Sequence, residues 1–175
     1  MESETPLNLV VHPAEGMADW GGRRFRCSMG RGGVLSAQEM HETCGATPLG
    51  LWPMRNVFYR ADRIRDLETK LSTQALDLQD GWCDAPDDPN YNRFVKHPYP
   101  ASAEKLWRED RLYDLIVVLG YNDAPVVSGK GSAIFLHIAR PGYAPTQGCV
   151  GLREDDLRLV LREARSGSCV EVLSL

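Results

Sequence analysis

The chain has 175 residues, 43% of them apolar and 25% charged, and carries a net charge of −4. That length suits one domain with a sizeable core. The acidic balance gives no basic footprint for nucleic acid, and no apolar run reaches the ~20 residues of a membrane-spanning helix. The five cysteines (Cys27, Cys44, Cys83, Cys149 and Cys169) are odd in number and include no C-x-x-C pair. This argues against a disulfide framework or a zinc ribbon, and the expectation is no metal and no cofactor.

The opening residues, MESETPLNLVVHPAEG, show neither the basic nor the apolar segment of a secretory signal. The expectation is a cytoplasmic monomer with reduced thiols, or a periplasmic one if a leader precedes this sequence. Residues 1–20 read as a lead-in with a first strand at 7–12 (LNLVVH), within a single domain spanning 1–175. Residues 23–29 (RRFRCSM) alternate as a second strand, with Phe25 and Cys27 on one face and Arg24 and Arg26 on the other. Gly30 to Gly33 is a turn. Residues 45–53, with two prolines and two glycines, read as loop. Residues 57–60 form a short strand, and 72–79 alternate only loosely. Residues 81–100 hold four prolines and four aromatics and read as a long irregular segment, of the kind that carries function.

Residues 102–109 (SAEKLWRE) predict a short helix capped by Ser102. Residues 112–119 (LYDLIVVL) predict a strand covered on both faces, because the apolar run does not alternate. Residues 133–139 are its expected neighbour, with Ile134, Leu136 and Ile138 pointing one way and Phe135 and His137 the other. Residues 153–165 give the principal helix, with Leu157, Val160, Leu161 and Ala164 on one face. Its first turn is acidic and its end basic, as the macrodipole prefers. Residues 169–175 close the chain as a strand.

The chemistry concentrates between Ile134 and Leu152. His137 sits on a stiff strand, a loop with Pro141, Gly142 and Pro145 follows, and Thr146-Gln147-Gly148-Cys149 makes a turn. The imidazole and the thiol are twelve residues apart across a loop that can fold back, which is one way to assemble a cysteine nucleophile with its base. Gly148 permits a sharp turn, and the N–H groups of Gly148 and Cys149, with Val150, are the natural oxyanion donors. Thr146 braces the loop through its hydroxyl. His137 as imidazolium and the following helix N-terminus would each favour a charged sulfur. A packed core histidine and a buried cysteine are the plain alternatives. Cys27, Cys44, Cys83 and Cys169 read as such buried thiols, and His12, His41 and His97 as loop or strand-end residues.

His137 followed by Thr146-x-Gly148-Cys149-Val150 resembles the signature of the L,D-transpeptidase catalytic domain (YkuD type). Gly45-Ala46-Thr47-Pro48-Leu49-Gly50 resembles the family's TPxG turn. Gly81-Trp82-Cys83-Asp84, Tyr91-Asn92 and Gly120-Tyr121-Asn122 resemble a compact subgroup, so the likeness runs over residues 20–175. It implies a mainly β fold with one principal α-helix, a β-sandwich of mixed sheets. It also implies that Cys149 attacks a peptidoglycan tetrapeptide or muropeptide at the L,D bond before terminal D-alanine, leaving a thioester. Hydrolysis would make the chain an L,D-carboxypeptidase of murein recycling, and an amine acceptor would make it a transpeptidase. A silent muropeptide-binding module is the alternative from another class. Catalysis falls to Cys149, His137 and Gly148, and substrate binding to Thr146, Gln147, Arg140, Tyr121, Asn122, Tyr91 and Asn92. The family often places Asn or Arg two residues after the cysteine, where this chain has Gly151. Arg140 or Arg153 is expected to hold a substrate carboxylate in its stead.

Overall fold

The computed structural model describes residues 5–175. In chain order the strands are β1 (Asn8–His12), β2 (Met17–Trp20), β3 (Arg23–Ser28), β4 (Val34–Leu35), β5 (Thr47–Pro48), β6 (Gly50–Tyr59) and β7 (Thr73–Ala75). Then come β8 (Asp80–Cys83), β9 (Phe94–Lys96), β10 (Ala103–Lys105), β11 (Leu115–Leu119), β12 (Phe135–Ile138) and β13 (Val150–Leu152). The helix α1 (Glu154–Glu163) and strand β14 (Cys169–Val172) complete the chain.

Nine strands form one mixed sheet in the order β11-β12-β13-β3-β2-β1-β14-β6-β7. The long β6 folds this sheet onto itself, because residues 50–53 pair with β14 while residues 54–59 pair with β11. Its interior face is apolar: Leu9, Val11, Trp20, Val57, Leu115, Val117, Leu136 and Val150 are fully buried there. The helix packs onto the same core through Leu157, Val160, Leu161 and Ala164, the face its periodicity predicts. Leaving water is worth about 1.5–3 kcal/mol for each large apolar side chain, so this face dominates the stability.

A second layer covers the outside of the sheet where β6, β11 and β12 meet. It is the three-stranded sheet β10-β8-β9. Trp82, Leu106, Leu112 and Tyr113 from this layer and its flanks pack on Phe58, Ile116, Val118 and Phe135. Trp82 and Tyr113 each meet Phe135 edge-on, at 5.2 and 5.8 Å between ring centroids. Covering both faces of β11 explains why its LIVVL run does not alternate.

Three expectations are corrected. The predicted helix at 102–109 is β10 followed by bends. Pairing Ala103 with Cys83 and Lys105 with Gly81 satisfies its backbone, whereas a helix of that length is marginal by itself. The predicted loop at 45–53 contains β5 and the start of β6. Pro53 lies within β6, where its carbonyl still accepts from the Gly120 N–H at 2.8 Å, so the missing amide hydrogen does not stop pairing. The irregular segment at 81–100 includes most of β8 and all of β9, with its prolines confined to the connections.

Candidate active site

Strands β12 and β13 run parallel, with Leu136 beside Val150 and His137 beside Gly151. That register sets Cys149, just before β13, next to Phe135 and diagonal to His137. Side chains alternate across the sheet, so Leu136 and Val150 enter the interior core while Phe135, His137 and Cys149 face the β8–β10 layer. A thiol and an imidazole separated by a proline-rich loop thereby share one face, and both line a cleft of about 350 Å³.

Both groups are stored neutral. Cys149 is 7% exposed and its thiol is pushed up to about 12, by burial first and then by the charge of Glu104. The sulfur donates to the Ala133 carbonyl at 3.2 Å and accepts from the Phe135 N–H at 3.4 Å. His137 is 2% exposed, and burial holds its imidazolium form off until about pH 4. Its Nδ1 lies 2.8 Å from the Ile138 carbonyl. A carbonyl only accepts, so the ring's proton sits on Nδ1 and Nε2 carries the free lone pair of a base. The expected thiolate–imidazolium pair is therefore not the resting state. The helix does not supply it either, because the three residues of β13 separate Cys149 from α1, about 10 Å of extended chain.

The turn that carries Cys149 is clamped from three sides. Thr146 Oγ1 donates to the Cys149 carbonyl at 2.6 Å and accepts from the Gly148 N–H at 3.1 Å. Thr47 Oγ1, from the TPxG turn, donates to the Gly148 carbonyl at 2.8 Å and accepts from the Gly30 N–H at 2.9 Å. The backbone of Thr146 is held between Met29 and Arg31. Gly148 adopts φ +133°, and a Cβ there would lie 2.7 Å from the Ala46 carbonyl oxygen. The expectation that the Gly148 N–H serves an oxyanion is corrected, since Thr146 already occupies it. Gly151 has an equally steric basis: a Cβ would meet Ser28 Oγ at 2.3 Å and Ala139 Cα at 3.0 Å. A side chain at this position would have no room here.

Arg140, Thr146 and Gln147 line the cleft. Arg140 is exposed and forms no ion pair among the described residues. Arg153 points elsewhere, to Asp156 at 3.5 Å. Tyr91, Asn92, Tyr121 and Asn122 do not line the cleft, which corrects their expected role. Asn92 is a structural hub that accepts from Trp82 Nε1 and the Ala133 N–H and donates to the carbonyls of Tyr121 and Asn122. Tyr91 donates to Glu42 and accepts from the Gly131 N–H. Tyr121 packs edge-on against Trp52, and Asn122 ties its own loop to Val127 and Gly131.

Sequence reasoning missed Glu42, Asp84, Glu104, Arg108 and Tyr113, all of which line the cleft. Tyr113 stands edge-on to the His137 ring at 5.4 Å and donates to Glu104 at 3.0 Å. The inward direction of Glu104 is a property of β10, and a helical reading of that segment hides it. Among the described residues no group of three His, Cys, Asp or Glu is placed to hold a metal ion.

A family model described as the L,D-transpeptidase catalytic domain (YkuD) matches residues 10–172. No curated protein matches the chain. Among solved structures, L,D-transpeptidase 1 of Mycobacterium tuberculosis aligns over 97% of this chain and 62% of its own, at 14% identity and a TM-score of 0.44. This chain thus spans less than two thirds of that protein's crystallised length.

Proposed function

Because this chain belongs to the YkuD family of L,D-transpeptidase catalytic domains, we propose that it is a cysteine-dependent acyl-enzyme peptidase that cleaves the L,D bond before a terminal D-alanine in peptidoglycan stem peptides. The observation that carries this reading is the convergence of Cys149 and His137 on one cleft, with the imidazole oriented by Ile138 so that Nε2 is its basic atom.

A neutral pair sets the order of proton movements. As the sulfur bonds to the substrate carbonyl carbon, its proton passes to Nε2 of His137. The oxyanion takes up the Cys149 N–H, since Gly148's is committed. One such donor is worth roughly 3 kcal/mol. Collapse breaks the C–N bond, the departing D-alanine amine takes the proton from Nε2, and a thioester remains. Water attacks that thioester, giving one proton to Nε2 and then to the sulfur, and the shortened peptide leaves as a carboxylate. Arg140, exposed at the cleft and unpaired, is the group to hold a substrate carboxylate.

Hydrolysis in a cytoplasmic recycling role is the reading we favour, with five unpaired thiols as its support. Transfer to an amine is the second reading. A groove of about 620 Å³ adjoins the cleft, shares Arg140 and Leu112 with it, and gives an acceptor a place to lie. Incubating the protein with a tetrapeptide, with and without an added D-amino acid, separates the two. Tripeptide alone indicates hydrolysis, an exchanged tetrapeptide indicates transfer, and neither product, with no adduct at Cys149 after a carbapenem, rejects the enzymatic reading for a binding module.

A further inference from the structure

The Cys149 sulfur lies between two peptide groups of one short segment. It donates its proton to the Ala133 carbonyl at 3.2 Å and accepts from the Phe135 N–H at 3.4 Å. The two contacts pull in opposite directions. An N–H favours the thiolate, whereas a carbonyl oxygen favours only the thiol and repels the charge once the proton has left. How the Ala133 peptide is turned therefore decides which form of the nucleophile is stored. Ala133 is buried and holds φ +55°, a left-handed backbone that an alanine keeps only where its surroundings impose it. Its N–H donates to Asn92 Oδ1 at 3.0 Å. That oxygen also accepts from Trp82 Nε1 at 2.9 Å, and Asn92 Nδ2 donates to the carbonyls of Tyr121 and Asn122 at 3.1 and 2.8 Å. All four hydrogen-bonding positions of the buried amide are thus filled. One side chain from the β8–β9 connection ties together both ends of the β11–β12 connection, and one of those ends is the peptide that faces the sulfur.

We propose that Asn92 is a positioning residue for the nucleophile: it holds the Ala133 carbonyl against Cys149, and this peptide is a catch that keeps the sulfur as a thiol. Asn92 touches neither the sulfur nor the cleft and acts through Ala133 alone. The thiol becomes available when its S–H turns from the Ala133 oxygen to Nε2 of His137, and the Phe135 N–H then remains as the donor to the developing thiolate. The backbone on either side of Ile134 so offers the sulfur one partner for storage and one for reaction. The inference deepens the acyl-enzyme reading above and rests on it for Cys149 being the nucleophile.

The test compares wild type with Asn92→Gly and Asn92→Asp, two residues that suit the φ of +55° at this position. The first removes the hold on Ala133, and the second keeps an oxygen for its N–H. Alkylation by iodoacetamide is followed across pH at each cysteine by peptide mass spectrometry. In Asn92→Gly, Cys149 should react roughly three- to tenfold faster at pH 7, with the midpoint of its pH profile moved down by up to about one pH unit. Asn92→Asp should be no faster than wild type. Cys27 and Cys83, both buried, report loosening of the core and of the β8 region, and their rates should not change. The infrared S–H band of Cys149, isolated by subtracting the spectrum of Cys149→Ser, should lie below that of an unbonded thiol in wild type and rise in Asn92→Gly. An unbonded band in wild type overturns the inference without any Asn92 variant. So does an unchanged Cys149 rate in Asn92→Gly, an equal gain in Asn92→Asp, or an equal gain at Cys27 or Cys83. The selective gain at Cys149, in a protein that turns over no tetrapeptide, supports the catch and overturns the peptidase reading.

Discussion

The two faces of β12 are built from alternate residues of one four-residue strand, yet they do different work. The inner face, with Leu136 and its neighbours, is dry and apolar and holds the folded sheet together. The outer face carries His137 beside Cys149, under a layer whose inward side mixes Trp82 and Tyr113 with Glu104 and Asp84. The chemistry is thus mounted on the back of the core, so its position is fixed by packing it does not share.

Changes on each face should therefore separate stability from activity. The largest effect is expected from Cys149→Ala, which should reduce turnover by roughly 10⁴-fold or more while leaving the melting temperature nearly unchanged. A melting temperature that falls steeply would mean the sulfur is mainly a packing group. Leu136→Ala on the opposite face should cost about 2–5 kcal/mol in denaturant unfolding, with kcat largely preserved in the protein that remains folded at low temperature. Loss of kcat without loss of stability would contradict the division between faces.

The outer face should also show itself in pH. The His137 pKa falls from 6.5 to about 4 on folding, so between those values the unfolded chain binds the extra proton. Stability is then complete above pH 6.5 and declines as pH drops toward 4, by roughly 3 kcal/mol. Cys149 works in the other direction: its pKa rises from 9.0 to about 12, so its contribution is full below pH 9 and is lost as pH climbs toward 12. Thermal melts across pH 4–9 should show the acid-side slope in the wild type and a shallower one in His137→Gln. The smallest effect is expected at the Thr47 clamp on the turn that carries Cys149. Thr47→Val leaves the Gly148 carbonyl and the Gly30 N–H without their hydroxyl, at about 1–3 kcal/mol, and should lower kcat more than it raises KM.

The inner face was legible in the sequence. The alternation of residues 134–138, the apolar stripe of α1 and the unbroken run of β11 each follow from local periodicity. Cys149, His137 and the bracing Thr146 were legible too, because they fall within one short stretch. The opposing wall was not. Glu104 and Tyr113 reach the cleft only because β10 pairs with β8 and the resulting layer folds over β12, and such long-range pairing leaves no periodic trace. Asn92 and Tyr121 failed for the complementary reason. Asn and Tyr in a loop look the same whether they bind a ligand or tie the loop to the body.

The sheltered sulfur has a consequence for how the protein ages. Peroxide attacks the thiolate far more readily than the thiol, so a nucleophile kept protonated by its surroundings resists sulfenic acid formation between turnovers. Oxidative damage should appear first at Cys44 and Cys169, the two thiols only partly buried, and reach the buried Cys149 later.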